Sequence, residues 1–552
     1  MNDHPRDPSR PAIPQADIVL RGGPIWCGRD DGVVEALAIW RDRVLAAGRE
    51  AELAPLIGPA TEVVDLAGRL AAPGLNDAHM HPITYGLTMG WIDARPAALP
   101  TLDALVAAVG ARAARTPPGA WVLARGYDHT RLDVGRHPLR EELDRAAPLH
   151  PVMLVRTCGH VAVCNSMALR LAGIDEASPA PANGRIERQN GRLTGLLAEG
   201  AMAPVRAAIP PPDEDAIVAA IERAGQYLLS FGITSCMDAA VGMNAGFAEI
   251  AAYHRARREG RLPVRFWLTL LGDSERAIVR PCHEAGLISG TGDDMLMIGA
   301  VKLFLDGSAG ARTAWMSRPY LGGDQTAGVA MKPDARLERE VMELHAMGYQ
   351  LACHAIGDAA IGQLITAYEK ALAAEPDPDR RHRVEHCGFS TPEQHRRMVK
   401  AGIYPCPQQV FIHDFGEAYI AALGPERALG SYPLKTWLEL GLKPAAGSDA
   451  PVCDPNPFPN IHAMLTRQTG RGTLMEARER VGIEAALQAY TEFAAFSQKR
   501  EHVKGRLLPG YLADVAVFSR DLLTASADAI LHDTACDMTI LGGKIVYRRA
   551  DA

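Results

Sequence analysis

The order of apolar and polar positions divides the chain into three kinds of segment. From Ala16 to about Leu70, short alternating runs end in turn signals. Ala16-Asp17-Ile18-Val19-Leu20-Arg21 meets Gly22-Gly23, and Ala36-Leu37-Ala38-Ile39 leads on to Arg43-Val44-Leu45-Ala46-Ala47-Gly48. A period of two is that of half-buried strands. The far end repeats it in Ala513-Asp514-Val515-Ala516-Val517-Phe518 and Thr539-Ile540-Leu541-Gly542-Gly543-Lys544-Ile545-Val546-Tyr547. Two β-rich ends around a different middle predict one small composite β-sandwich, built from residues 16–70 and 500–552.

In the middle, strand-length apolar runs alternate with amphipathic stretches of helical period, such as 214–230, 359–373 and 392–401. Candidate strands end near His81, Asp238, Gly272, Asp306, His354, His386, Gln409 and Asp449. Eight strands alternating with helices predict the α/β class and a (β/α)8 TIM barrel over residues 71–87 and 221–499. The first connection, roughly 140 residues, far exceeds the usual loop. It carries strand-like pieces of its own, Trp121-Val122-Leu123-Ala124 and Pro151-Val152-Met153-Leu154-Val155. Residues 88–220 are therefore expected to form an inserted α/β subdomain. It leaves the barrel at the end where active sites sit, so it is placed to cover one.

Composition narrows the picture. A chain of 552 residues exceeds one compact core. The net charge of −7 and the lack of a basic run exclude a phosphate-neutralising surface, so no nucleic acid is expected as partner. No segment reaches the ~18 consecutive apolar residues that cross a bilayer. Residues 1–15 are polar, rich in Pro, Arg and Asp, and expected to be disordered, without the apolar stretch of a secretory signal. The 10 cysteines form no CxxC pair, which predicts buried thiols in a reducing, cytoplasmic setting. A small-molecule substrate is the expected partner, and a homo-oligomer is left open.

The candidate chemistry lies at the strand ends. In Asp77-Ala78-His79-Met80-His81-Pro82 the two imidazoles are at i and i+2, on one side of a strand, where they can share a metal ion. Lys302 stands among apolar neighbours in Gly299-Ala300-Val301-Lys302-Leu303-Phe304, where a cation is costly. His354 closes Leu351-Ala352-Cys353-His354, His386 closes Arg383-Val384-Glu385-His386, and Asp449 follows Pro444-Ala445-Ala446-Gly447-Ser448. Titratable groups delivered by separate strands to one barrel face predict a metal site.

The order HxH, Lys, His, His, Asp resembles the amidohydrolase superfamily in its binuclear form. Further segments resemble amidohydrolase family 3, the formamide-deformylase-like metal-dependent hydrolases. These are Thr157-Cys158-Gly159-His160 with Asn165-Ser166-Met167-Ala168-Leu169, Asp306 to Ala314, His354-Ala355-Ile356-Gly357-Asp358, Gly447 to Pro451, and Lys504-Gly505 with Gly510 to Asp514. The resemblance implies a divalent metal, two Zn2+ per chain, with His79, His81 and Asp449 on one ion and His354 and His386 on the other. It implies a carbon dioxide-derived carbamate on Lys302 bridging both; the other reading is an ordinary lysine paired with Asp306 beside a single metal. Asp449 is then also the catalytic base, and the expected reaction is hydrolysis of a C–N bond in an amide, N-formyl or cyclic amide substrate.

Substrate-binding candidates are His160, Arg312, Tyr127 and Asp128, with His129 beside them. His160 either reaches over the barrel mouth or bonds within the insert. Arg312 either holds the substrate or pairs with Asp306 or Asp358. Cys158 is not needed as a nucleophile. Mononuclear deaminase-type chemistry, another reaction on the same fold, and a non-catalytic scaffold are the competing readings.

Overall fold

The computed structural model describes residues 15–157, 159, 161–181, 184–272, 277–322 and 325–550. The stretch expected to be disordered lies almost wholly outside the described residues, as do Cys158 and His160.

Seven parallel strands form the centre: β1 (Leu75–Met80), β2 (Ile233–Val241), β3 (Arg265–Leu271), β4 (Leu296–Phe304), β5 (Gln350–Ala355), β6 (Arg383–His386) and β7 (Tyr404–Cys406). They hydrogen-bond in that order, each parallel to the next. Interior and helix-covered faces are both buried, so these strands read as near-continuous apolar runs; all nine residues of β2 are buried. Helices follow with their own start signals. Asp213 caps Glu214–Leu229 by accepting from Ala216 N, and Thr391 with Gln394 forms a capping box before Pro392–Ala401.

The eighth strand expected to end at Asp449 is not a regular one. Residues 444–450 run through the gap between β7 and β1 and close it with scattered bonds: Gly447 N to Pro407 O at 3.3 Å, Ala78 N to Ala446 O at 2.9 Å and Asp449 N to His79 O at 2.7 Å. Pro444 brings no N–H to a ladder. Gly447 lies so close to β1 that a Cβ there would sit 2.8 Å from His79 Cβ. A ladder is traded for close approach.

Both chain ends enter one eight-stranded sheet. Ile18–Gly28 bends at Gly22-Gly23, pairing with Glu62–Asp65 before the bend and with Ala71–Pro73 after it. Ala71–Pro73 in turn pairs antiparallel with Val515–Phe518. The hydrogen-bonded path is continuous, in place of two separate sheets. Its apolar side is Leu20, Ile25, Leu37, Val515, Val517 and Ile540. The Lys504 to Asp514 signature fastens this sheet to the barrel floor. Asp514 accepts both Arg265 Nε (2.7 Å) and Nη2 (2.8 Å) from β3, and Lys504 Nζ donates to Ser235 Oγ at 2.6 Å.

A six-stranded sheet, from Ile92–Asp93 to Arg192–Glu199, fills the long first connection. Asn165 holds its centre: its Oδ1 accepts Val152 N and Ala168 N, both at 3.0 Å, and its Nδ2 donates to His150 O. Among the described residues no helix is long and apolar enough to cross a membrane. The nine described cysteines are free, and all are buried.

Candidate metal centre

β1 delivers His79 and, one residue past its end, His81; Met80 between them turns into the barrel core. Their ring centroids are 5.7 Å apart. Register does the rest. Phe304 of β4 pairs with His354 of β5, and Ala355 with His386 of β6, so these groups reach the C-terminal rim together. The His386 ring lies 4.4 Å from that of His354 and 4.7 Å from that of His79.

Asp449 enters from the closing segment. Its Oδ1 is 3.3 Å from His81 Nε2 and 3.5 Å from His79 Nε2. Lys302 Nζ lies 3.5 Å from His79 Nε2 and 4.9 Å above the Phe304 ring, fully buried. Among the described residues, His79, His386 and Asp449 offer ligand atoms that all lie within 4.8 Å of one another. This set takes members from both of the expected ion groups, so the six residues form one continuous cluster rather than two.

Two of these residues have left-handed backbone, His386 with φ 69° and Asp449 with φ 57°. Such conformations cost roughly 1–3 kcal/mol each in non-glycine residues and collect at functional sites.

Each ring is oriented from behind. His79 Nδ1–H donates to Glu385 Oε2, which leaves Nε2 facing Asp449 and Lys302. His386 Nδ1–H donates to Gln408 Oε1 at 2.6 Å. His354 Nε2 faces Gly307 O at 3.2 Å and Asp306 Oδ1 at 3.3 Å, so its proton sits there and Nδ1 is left as the donor atom. Hydrogen bonds of this kind fix tautomer and direction in metal-binding histidines. Glu385 is itself held by Arg383, through Nε to Oε1 at 2.7 Å and Nη2 to Oε2 at 3.0 Å, and the same Nη2 reaches Ala78 O.

The charge states match a cation site. Burial alone would raise the Asp449 carboxyl, but the contacts with the His79 and His81 imidazoles outweigh it and hold the group well below the usual carboxylate range. Burial depresses His81, and depresses His386 further with the help of neighbouring His354 and His79, which favours the neutral, metal-binding form. Burial also lowers Lys302. The buried Nδ1 of His81 and Oδ2 of Asp77 have no hydrogen-bond partner among the described residues. Imidazoles around an ionised carboxylate, with His81 and His386 pushed toward the neutral form and polar atoms left over, fit a divalent cation.

Residues 62–547 match the sequence pattern of the amidohydrolase family. The chain belongs to that family. This amidohydrolase is 30% identical to Protein LONG AFTER FAR-RED 3 of Arabidopsis thaliana, over 97% of this chain and 92% of that one. It is 27% identical to N-substituted formamide deformylase of Arthrobacter pascens, over 93% and 95%. Among solved structures, an uncharacterized metal-dependent hydrolase from Pyrococcus horikoshii aligns with a TM-score of 0.77 and 25% identity, over 93% of this chain and 99% of that one.

The expected substrate contacts fare differently. Tyr127 is buried in the apolar core of the insert, its OH 2.9 Å from His137 Nδ1. Asp128 pairs with Arg156 at 3.0 Å and accepts from Thr130 N. His129 stacks on His137 at 3.9 Å. Arg312, with φ 59°, lays its guanidinium along Gly322. The partners considered for it are taken, Asp306 by the N–H groups of Trp315, Ile356 and Gly357, and Asp358 by Ser317. Asp306 faces His354 rather than Lys302.

Residues with a clear part in the site that the motif reading passed over are Glu385, Arg383 and Gln408. The available signal was the spacing of Arg383 and Glu385, two opposite charges at i and i+2 in a buried strand, which have to meet each other.

Proposed function

We propose that this amidohydrolase is a metal-dependent hydrolase that cleaves the C–N bond of an amide, N-formyl group or cyclic amide. The observation that carries the reading is the convergence of His79, His81, Lys302, His354, His386 and Asp449 on one rim of the barrel, five of them delivered by β1, β4, β5, β6 and the closing segment with His81 one residue beyond β1. The relative named N-substituted formamide deformylase supports the bond type.

In this reading His79, His81 and Asp449 hold one divalent ion, and His354 and His386 hold a second. Such ions, when bound, lower the pKa of water and polarise a carbonyl. Lys302 stands beside His79 of the first set. Its amine faces an imidazole and not a carboxylate, at 3.5 Å. An ammonium that has given up one proton can add to carbon dioxide and give up a second, so a costly buried cation becomes a carbamate anion that would suit a pair of divalent cations. Asp449 is ionised and next to both β1 imidazoles, so it takes the proton of the attacking water and returns it to the leaving nitrogen. Glu385, Gln408 and Gly307 keep the rings aimed while this happens.

The test joins two measurements on the purified chain: metal content, and hydrolysis of a panel of N-substituted formamides, acetamides and cyclic amides. About two divalent ions per chain, with turnover of at least one of these classes, is the expected result. A metal content near zero would overturn the reading, and two ions with turnover only of esters or amidines would move the bond type.

A further inference from the structure

A cavity of about 280 Å³ lies on the seam between the inserted sheet and the barrel mouth. Its barrel-side walls grow directly out of the metal-binding candidates. The helix Pro82–Thr88 starts at His81, with Tyr85 N donating to His81 O at 2.8 Å, and brings Tyr85 and Thr88 to the cavity. The turn closed by Val452 N to Asp449 O at 2.7 Å brings Pro451 and Val452. The cavity is therefore about one turn of chain away from both His81 and Asp449.

The insert supplies the opposite wall through Trp91, Ile92 and the backbone of Gly126. Gly126 has φ 101°, and a Cβ there would meet Arg95 Cγ at 2.7 Å, so the chain must be bare at this point. Arg125 Nη2 fastens this wall across the seam by donating to Pro451 O at 3.1 Å.

The charges in the lining are balanced. Arg95 is held by Asp93 through Nε (2.9 Å) and Nη2 (2.7 Å), and lies 3.4 Å from Asp454, to which Tyr227 also donates. With Arg125 included, two guanidinium groups face two carboxylates, so the lining carries no net charge to attract a charged ligand. Beyond these charges the lining is mixed: Tyr85, Met89, Trp91, Ile92 and Val452 are aromatic or apolar, while Thr88, Thr157 and the Tyr227 hydroxyl are polar. The volume falls just under the roughly 300–1,000 Å³ of pockets that take whole drug-sized ligands. It suits one ring on a short linker.

We infer that this cavity is a specificity subsite that holds an uncharged aromatic or bulky apolar substituent of the substrate beside the bond that is cleaved. The inference rests on the proposed reacting centre at His81 and Asp449. Thr88, Trp91 and Val452 are its specificity-determining residues, and none of them is a metal-ligand candidate.

The test is calorimetric titration of the metal-loaded full chain with N-(2-phenylethyl)acetamide, its α-carboxylate analogue N-acetylphenylalanine, and N-methylacetamide. Saturable binding of the neutral aryl amide is expected, at least tenfold tighter than either of the others. Thr88→Trp, which fills the cavity, and Trp91→Ala, which removes an aromatic face, should each weaken it at least tenfold. Metal content and thermal midpoint serve as controls that the variants are folded. Equal affinity for all three probes, or aryl binding unchanged in both folded variants, overturns the subsite. Metal analysis judges the reacting centre separately: a chain without metal that still binds the aryl amide through Thr88 and Trp91 keeps the subsite and loses the centre beside it.

Discussion

The Nδ1–H of His79 donates to Glu385, a carboxylate on another strand, and Glu385 is clamped in turn by Arg383. All three side chains are almost fully shielded from water. The ring of a principal metal-ligand candidate is thus aimed by a buried ion pair. Glu385→Gln should lower metal affinity by about 10–100-fold, the usual cost of losing a partner behind a ligand histidine. It also strands the Arg383 charge, which should cost about 3–5 kcal/mol of stability. Chelator competition at a temperature where the variant is folded separates the two effects. Wild-type metal affinity in a folded Glu385→Gln chain would remove Glu385 from the site.

Lys302 separates a bridged pair of ions from a single ion. If its carbamate joins the two sets of ligands, Lys302→Ala should lose metal and turnover together. Added acetate or propionate should restore part of both by supplying the missing carboxylate. Elemental analysis and rate measurement across a propionate titration provide the check. Full metal content and full turnover in the untreated variant would refute the bridge.

A third expectation concerns acid stability, away from the metal candidates. His345 Nε2–H donates to Glu375 O (2.8 Å), His382 Nε2–H donates to His345 Nδ1 (3.0 Å), and His382 Nδ1 accepts Leu351 N–H (3.1 Å). The chain of bonds needs a neutral His382. Burial, then His345, Arg380 and Lys499, hold its pKa well below the ordinary 6.5. The unfolded chain therefore takes up a proton below about pH 6.5 that the folded chain refuses. Stability should be level above that value and fall below it, by about 1.4 kcal/mol per pH unit for this one group. His382→Asn keeps an acceptor for Leu351 but does not titrate. Urea unfolding from pH 8 to 5 should show a shallower acid slope for the variant, and parallel slopes would sink the assignment.

What could be read from the sequence follows from what burial costs. A histidine or lysine at the end of an apolar strand is conspicuous because it must be satisfied there, so His79, His81, Lys302, His354 and His386 stand out in the sequence, with Asp449 beside them. The closing segment was not legible as an irregular strand, because its geometry depends on how closely Gly447 can approach His79, a fact of tertiary packing. The burial of Tyr127 has a simple reason. Neighbouring residues of a strand face opposite ways, so the Gly126 that lines the seam cavity sends Tyr127 into the core of the insert. The role of Glu385 is only half legible: its i, i+2 spacing with Arg383 announces an ion pair, but nothing local announces the contact with His79, 306 residues away on β1.

The last expectation separates proton shuttle from ligand at Asp449. Its Oδ1 lies between His81 Nε2 and His79 Nε2, and its backbone is pinned by Asp449 N to His79 O, so position and charge are both imposed by β1. Asparagine keeps the size and one oxygen ligand but cannot take a proton from water and pass it to nitrogen. Asp449→Asn should therefore retain near-wild-type metal while turnover of an amide substrate falls by at least roughly a hundredfold, the lower end of what general acid–base catalysis contributes. The acidic limb of the rate profile should change as well, since in the parent it reports this carboxylate or the water beside it. The imposed backbone makes the comparison clean, because a side chain held from both directions has little freedom to find a second geometry. Should the metal-loaded variant hydrolyse the same amide at the parent rate, the shuttle must be another group at the rim, and Asp449 is a ligand only.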